Sequence, residues 1–109
     1  MTSPVAIFGS ALRTKVLVAI AKLGETYPSE LAAMLDSRLL PVQRVLVSLE
    51  STGMIATRLR GRVRLVTLNP RWFARRELFA LLLRLGETPM FEQIGVVRRR
   101  PRAADKIPV

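Results

Sequence analysis

The stretch RLRGRVRL, residues 58–65, carries an arginine at every second position on both sides of one glycine. Period two is the repeat of a β-strand, whose side chains point alternately to opposite faces, and a glycine at the centre supplies a turn. The surrounding MIATRLRGRVRLVTL (54–68) has β-branched and apolar residues flanking a turn at Arg60, Gly61 and Arg62, and it reads as a hairpin with arginines along the faces of a two-stranded ribbon. Elsewhere the apolar residues recur at helical spacing. The chain is therefore expected to be mainly α with one β-hairpin, an α+β fold.

In SALRTKVLVAIAKLG (10–24), Leu12, Val16, Ala19, Ile20 and Leu23 mark one helical stripe and Gly24 a stop, while Leu17, Val18 and Ala21 extend the apolar surface to other faces. A helix apolar nearly all round needs burial on more than one side, and dimerisation is the expected source of the second surface. YPSELAAMLD (27–36) reads as a short helix with Pro28 at its first position and Glu30 near the positive end of its dipole. After a turn at DSR comes LLPVQRVLVSLESTG (39–53), with Pro41 expected at the first helical position, Val42, Val45, Leu46 and Leu49 facing the core, and Gly53 as the stop. Following the hairpin, NPRWFARRELFALLLRLG (69–86) offers Asn69 as N-cap, Pro70 at the first position and Gly86 at the end. Its LFALLL run is again apolar on several faces, so the first and last helices are expected to pair across a subunit interface. Trp72 and Phe73 read as packing of this helix on the hairpin. The expected domain is 1–86, followed by a basic extension over 87–109 whose pattern fades into a mobile tail carrying RRRPR (98–102).

Composition narrows the chemistry. The chain has 109 residues, half of them hydrophobic, enough for one domain with its own core. It contains no Cys and no His, which removes the usual zinc ligands, a thiol nucleophile and a histidine general base; no metal and no cofactor is expected. The eight acidic residues are scattered without paired-carboxylate spacing and no Gly-rich phosphate loop is present, so an enzyme is not expected. The runs VLVAIA and LFALLL fall far short of the roughly 18 apolar residues that span a bilayer. Without a basic n-region or a sustained apolar run at the start, the expected setting is cytoplasmic, with no membrane partner.

Charge supplies the positive signal. There are 18 Lys+Arg against 8 Asp+Glu, a net charge of +10, which favours polyanions. Between Met54 and Arg76 stand seven arginines (58, 60, 62, 64, 71, 75, 76) and no acid, a local charge of +7. Two helices joined by a tight turn and followed by a basic hairpin are the layout of a winged helix-turn-helix, in which the second helix enters the DNA major groove and the wing rides on the backbone or in the minor groove. The core stripe of helix 39–53 leaves Gln43, Arg44, Val47 and Ser48 on its opposite side, with Arg38 and Leu40 at its leading end. Gln can pair with adenine, Arg with guanine, and an aliphatic group can meet a thymine methyl. Ser29, beside the start of the short helix, and Arg58, Arg60, Arg62 and Arg64 on the wing are expected to hold phosphate.

The segment FGSALRTKVLVAIAKLGETYPSELAAMLDSRLLPVQRVLVSLESTGMIATRLRGRVRLVTLNPRWF resembles the ArsR-type winged helix-turn-helix regulators, over roughly residues 8–85. The resemblance is carried by the opening helix with Arg13 and its aliphatic run, by SELAAML, by VQRVLVSLESTGMI leading into the wing, and by RGRVRLVTLNP. It implies a homodimeric repressor that binds double-stranded DNA, with dimer contacts from the first and last helices; the expected location is the cytoplasm, associated with the nucleoid. The cysteine, histidine and acidic clusters of metal-sensing members and the cysteines of redox-sensing members are absent, so any effector is unknown. A sequence-tolerant chromatin-type DNA-binding protein and a winged-helix module that binds another protein remain open on the same residues.

Overall fold

The structure, a computed structural model, describes residues 4–94. A 3-10 turn at Pro4–Ala6 leads into α1 (Ala11–Leu23), α2 (Pro28–Met34), α3 (Leu39–Ser51), the antiparallel strands β1 (Ile55–Arg60) and β2 (Val63–Leu68), and α4 (Arg75–Gly86). α1 is the centre. Ser10 caps it, its Oγ accepting from Arg13 N at 3.1 Å, and Gly24 closes it by donating to Ile20 O.

Six consecutive residues of α1, Val16 to Ala21, are buried. Helical residues six in a row point in every direction around the axis, so α1 must be enclosed rather than laid on a surface. The enclosure comes from the chain itself: α4, α3, β2 and the Pro4–Ala6 turn all pack on α1. This corrects the expectation that α1 needs a second subunit to cover its extra apolar faces. What stays uncovered lies elsewhere, with Leu81 and Leu83 on α4 and Met90 beyond it exposed.

α2 and α3 are joined by Leu35–Arg38, with Asp36 in the left-handed region at φ +53°, a conformation Asp tolerates better than most residues. α3 begins at Leu39, where the helix is expected to start, but Pro41 is its third residue and not its first; a proline fits anywhere in the first turn, where the N–H has no helical acceptor. Val42, Leu46 and Leu49 are its buried stripe. The last helix starts later than expected. Asn69 does not cap it: its backbone N–H donates to Met54 O (2.9 Å), its Nδ2 donates to Gly53 O (2.8 Å), and its Oδ1 accepts from Arg71 N (3.0 Å). An Asn committed to a turn by three bonds stitches the exit of β2 to the end of α3, and the helix starts only at Arg75. Within the intervening turns Trp72 is partly buried against the core, whereas Phe73, expected to pack, is 89% exposed.

The expected domain edge is Gly86, yet packing continues through Ile94, and Phe91 is completely buried. A lysine secures this segment. Lys22 Nζ donates to the carbonyls of Phe91 (2.8 Å), Glu92 (3.3 Å) and Ile94 (2.9 Å). Burial pulls the ammonium's pKa below its ordinary value, and the Glu92 charge pulls it partly back. The RRRPR tail lies outside the described residues.

Gly86 shows how closely the clasp is built. A Cβ placed there would stand 2.5 Å from Lys22 Cε and 3.4 Å from Val18 Cγ1. Gly-to-Ala in a helix ordinarily stabilises by up to about 1 kcal/mol. Here G86A is expected to lower the melting temperature, because Lys22 must leave its three carbonyls. In a K22A background the same substitution is expected to be neutral or stabilising, and a four-variant thermal-denaturation cycle measures the difference.

Candidate nucleic-acid interface

Away from its buried stripe, α3 presents Leu40, Gln43, Arg44 and Val47 to solvent, with Leu40 53% and Val47 67% exposed. Residues 40, 43, 44 and 47 follow the i, i+3, i+4, i+7 spacing that defines one helical face. That face is mixed, two aliphatic side chains around an amide and a guanidinium, and neither the Gln43 nor the Arg44 side chain has a hydrogen-bond partner among the described residues. Exposed Arg38 is the N-cap residue of α3 and contributes no side-chain capping bond.

Ser48 does not belong to this surface. It is half-buried on the flank toward α1, and its Oγ accepts a 2.7 Å hydrogen bond from Arg13 Nη2. The expected DNA-facing serine is instead a strut between two helices. Thirty-five positions separate the partners, so no local pattern could have paired them.

The wing is a two-residue hairpin. Arg60 pairs with Val63, leaving Gly61 and Arg62 in the turn, and only Gly61 has a positive φ, +65°. A positive φ at the first central position alone is the type II′ signature, which matches the twist of the strands and requires glycine there. This geometry redistributes the arginines. Cross-strand partners share a face, so Arg58 and Arg60 stand with Leu65 and Val63, whereas Arg64 stands opposite Leu59 on the other face, the one that buries Ile55, Val66 and Leu68 at the wing base. The alternation that is unbroken in sequence is split in space.

Two of the four wing arginines are tied down. Arg58 Nη2 lies 3.0 Å from Glu25 Oε2 in an exposed ion pair. Arg64 Nη1 donates to Thr57 Oγ1 at 3.2 Å, and Thr57 Oγ1 in turn donates to Glu50 Oε2 of α3 at 2.8 Å, which links the wing to α3. Arg60 and Arg62 make no such contact among the described residues. At the wing base, Thr26 N donates to Val66 O (3.0 Å) and Val66 N to Thr26 O (2.8 Å), so the segment before α2 adds one bridge to the sheet.

Between the start of α2, the start of α3 and the wing lies an open groove of about 350 Å³, lined among others by Tyr27, Ser29, Leu39, Gln43, Arg62 and Arg64. Four of the expected site residues, Ser29, Gln43, Arg62 and Arg64, therefore meet in one cleft. Arg58 and Ser48 do not. The sequence reading missed Tyr27 and Leu39; Leu39 falls one turn ahead of Val42 and Gln43 once α3 is known to start there. Thr57, Glu50 and Glu25 were also missed, and their contacts join separate elements.

No family model matches the chain, and no curated protein matches it. Solved structures do. A MarR-family transcriptional regulator from Silicibacter pomeroyi aligns with TM-score 0.60 at 17% identity over 94% of this chain and 77% of that one. The adhesin competence repressor of Streptococcus pyogenes gives TM-score 0.54 at 13% identity over 86% and 78%. A variant of ZitR from Lactococcus lactis gives 0.54 at 16% over 89% and 73%. The fold is a winged helix-turn-helix. At these identities the likeness concerns architecture. In this winged helix-turn-helix the second helix of the pair is α3 and the wing is β1–β2. No helix among the described residues is long and apolar enough to cross a membrane.

The Arg13–Ser48 strut carries a direct expectation. A hydrogen bond to a charged donor contributes about 1.5 kcal/mol or more when shielded, less when partly solvated. R13M and S48A are each expected to lower the unfolding free energy by about 1 kcal/mol, with the double variant little worse than the weaker single one. Chemical denaturation of the four proteins reads this out; additive losses would mean the two side chains act separately.

Proposed function

We propose that this chain is a sequence-specific, double-stranded-DNA-binding transcription regulator, a homodimeric repressor of the ArsR type. The observation that carries the reading is the exposed α3 face of Leu40, Gln43, Arg44 and Val47, set beside a groove to which the wing contributes Arg62 and Arg64. An unpaired amide and guanidinium flanked by aliphatic groups suit base edges in a major groove, and unopposed arginines on a ribbon suit the neighbouring phosphates. Regulators of DNA transcription share this fold. In this reading α3 reads sequence, Arg60, Arg62 and Arg64 with Ser29 and Arg38 hold the backbone, and Arg58 joins them when it leaves Glu25. The exposed Leu81 and Leu83 of α4 supply part of the dimer contact, which sets two α3 helices about 34 Å apart on an inverted repeat. Such a protein acts in the cytoplasm, on the nucleoid, and needs no metal or cofactor to bind.

The test is selection from a random duplex pool at about 150 mM salt, where specific binders exceed their own non-specific affinity by about 10³ or more. An enriched inverted repeat supports the proposal. Bound DNA without enrichment assigns the same surface to sequence-tolerant packaging, and no bound DNA points to a protein partner. With the selected site in hand, R44A is expected to narrow the gap between cognate and scrambled duplex, whereas R62A is expected to weaken both alike and shallow the salt slope by about 1. Binding isotherms at several salt concentrations separate the two.

A further inference from the structure

The exposed face of α3 does not end at Val47. Three residues on, along the same stripe, stands Glu50, an acid exposed to solvent. A carboxylate on a surface that meets a polyanion weakens every complex through its charge, so its place there needs a compensating role. Its contacts supply one. Glu50 Oε2 accepts from Thr57 Oγ1 at 2.8 Å, and the same Oγ1 accepts from Arg64 Nη1 at 3.2 Å.

A threonine hydroxyl has a single proton to give. Because the Glu50 carboxylate takes that proton, the lone pairs of the oxygen are left for the guanidinium. Thr57 pairs with Val66 and Leu59 with Arg64, so Thr57 and Arg64 are diagonal neighbours on one face of the ribbon, within reach of a long side chain. Branching at the Thr57 Cβ restricts its rotation, which makes it a stiff link between helix and strand. Arg64 lines the groove with Gln43 and Ser29 and binds Thr57 through Nη1, while its Nη2 and Nε have no partner among the described residues. Those two nitrogens form the planar fork that grips two oxygens of one phosphate. Glu25, in contrast, sits directly on the Arg58 guanidinium, where it competes with phosphate.

We propose that Glu50 is a positioning residue for DNA. Through Thr57 it holds the Arg64 guanidinium in the attitude that meets one backbone phosphate, so that α3 and the wing engage the duplex in a single register. The inference rests on the DNA-binding reading of this groove and adds to it a residue whose charge opposes DNA while its hydrogen bond serves it. An arginine already ordered in the free protein loses less conformational freedom on binding, so the relay acts where Arg64 meets its phosphate and leaves loosely held duplexes unaffected.

The test uses the full chain, the duplex enriched by selection and a scrambled duplex of equal length, with Kd read by fluorescence anisotropy. T57V keeps the shape and branching of the side chain but removes the relay; it is expected to bind the enriched duplex about tenfold more weakly and the scrambled one within about twofold of the unaltered protein. T57S restores the hydroxyl and is expected to restore the affinity. Replacing the phosphates of the enriched duplex one at a time by neutral methylphosphonate locates the contact: the position that costs the unaltered protein about tenfold and R64A nothing is the Arg64 phosphate. T57V is expected to lose its penalty at that position and keep those elsewhere, whereas a general loosening of the wing would lower all alike. Should T57V fail to fold, as its melting curve would reveal, E50A replaces it, read by the methylphosphonate penalty alone. Full affinity in T57V, or a penalty at the Arg64 phosphate that survives T57V or its replacement, overturns the proposal and leaves the DNA reading standing. Selection that enriches no site, or binds no duplex, overturns both.

Discussion

The enclosure of α1 between Val16 and Ala21 is the constraint on which the other elements depend. A two-stranded ribbon cannot stand alone in water, and a seven-residue helix such as α2 cannot either; each persists because it leans on a buried rod. Through that rod α3 and α4 acquire a common reference although they never need to touch one another. The surfaces of α3 and the wing that face solvent are then free to be chosen for charge and shape, because none of their exposed residues is required for the core.

Three polar connections convert that packing into orientation. Arg13 with Ser48 sets α3 against α1, the Thr26–Val66 bridge ties the entry of α2 to the wing, and Glu50–Thr57–Arg64 ties the wing to α3. Each crosses between elements that hydrophobic contact alone would leave free to slide, since apolar burial has no preferred direction. Partly exposed bonds of this kind add little to stability individually. Their effect is to narrow the range of angles at which α3 and the ribbon meet the same partner.

Element order and type were legible in the sequence because period two around Gly61 and period 3.6 elsewhere rarely imitate each other. Helix ends were legible where a glycine acts locally, as at Gly24, and misread where a distant partner intervened. Asn69 looks like a cap in isolation and is a brace once Gly53 and Met54 are beside it. The exposed α3 face followed from the stripe of Val42, Leu46 and Leu49, but the half-burial of Ser48 against Arg13 and the pairing of exposed Arg58 with Glu25 depend on contacts made only in three dimensions. The even loop of the hairpin likewise decides which arginines are neighbours, and no count along the chain reports it. The burial of α1 was foreseen as a demand; its supplier, the same chain, was not.

The bonds from Lys22 to the carbonyls of Phe91, Glu92 and Ile94 join residues 69 to 72 positions apart, the longest sequence separations among the side-chain hydrogen bonds described. Contacts of such range form after the loop between them has been closed by everything else, and they reward the chain last. The segment from Glu87 to Ile94 is therefore a latch set upon a finished body. Because Phe91 is wholly buried in the same core as α1, lifting this segment would expose core surface as well as break the three bonds.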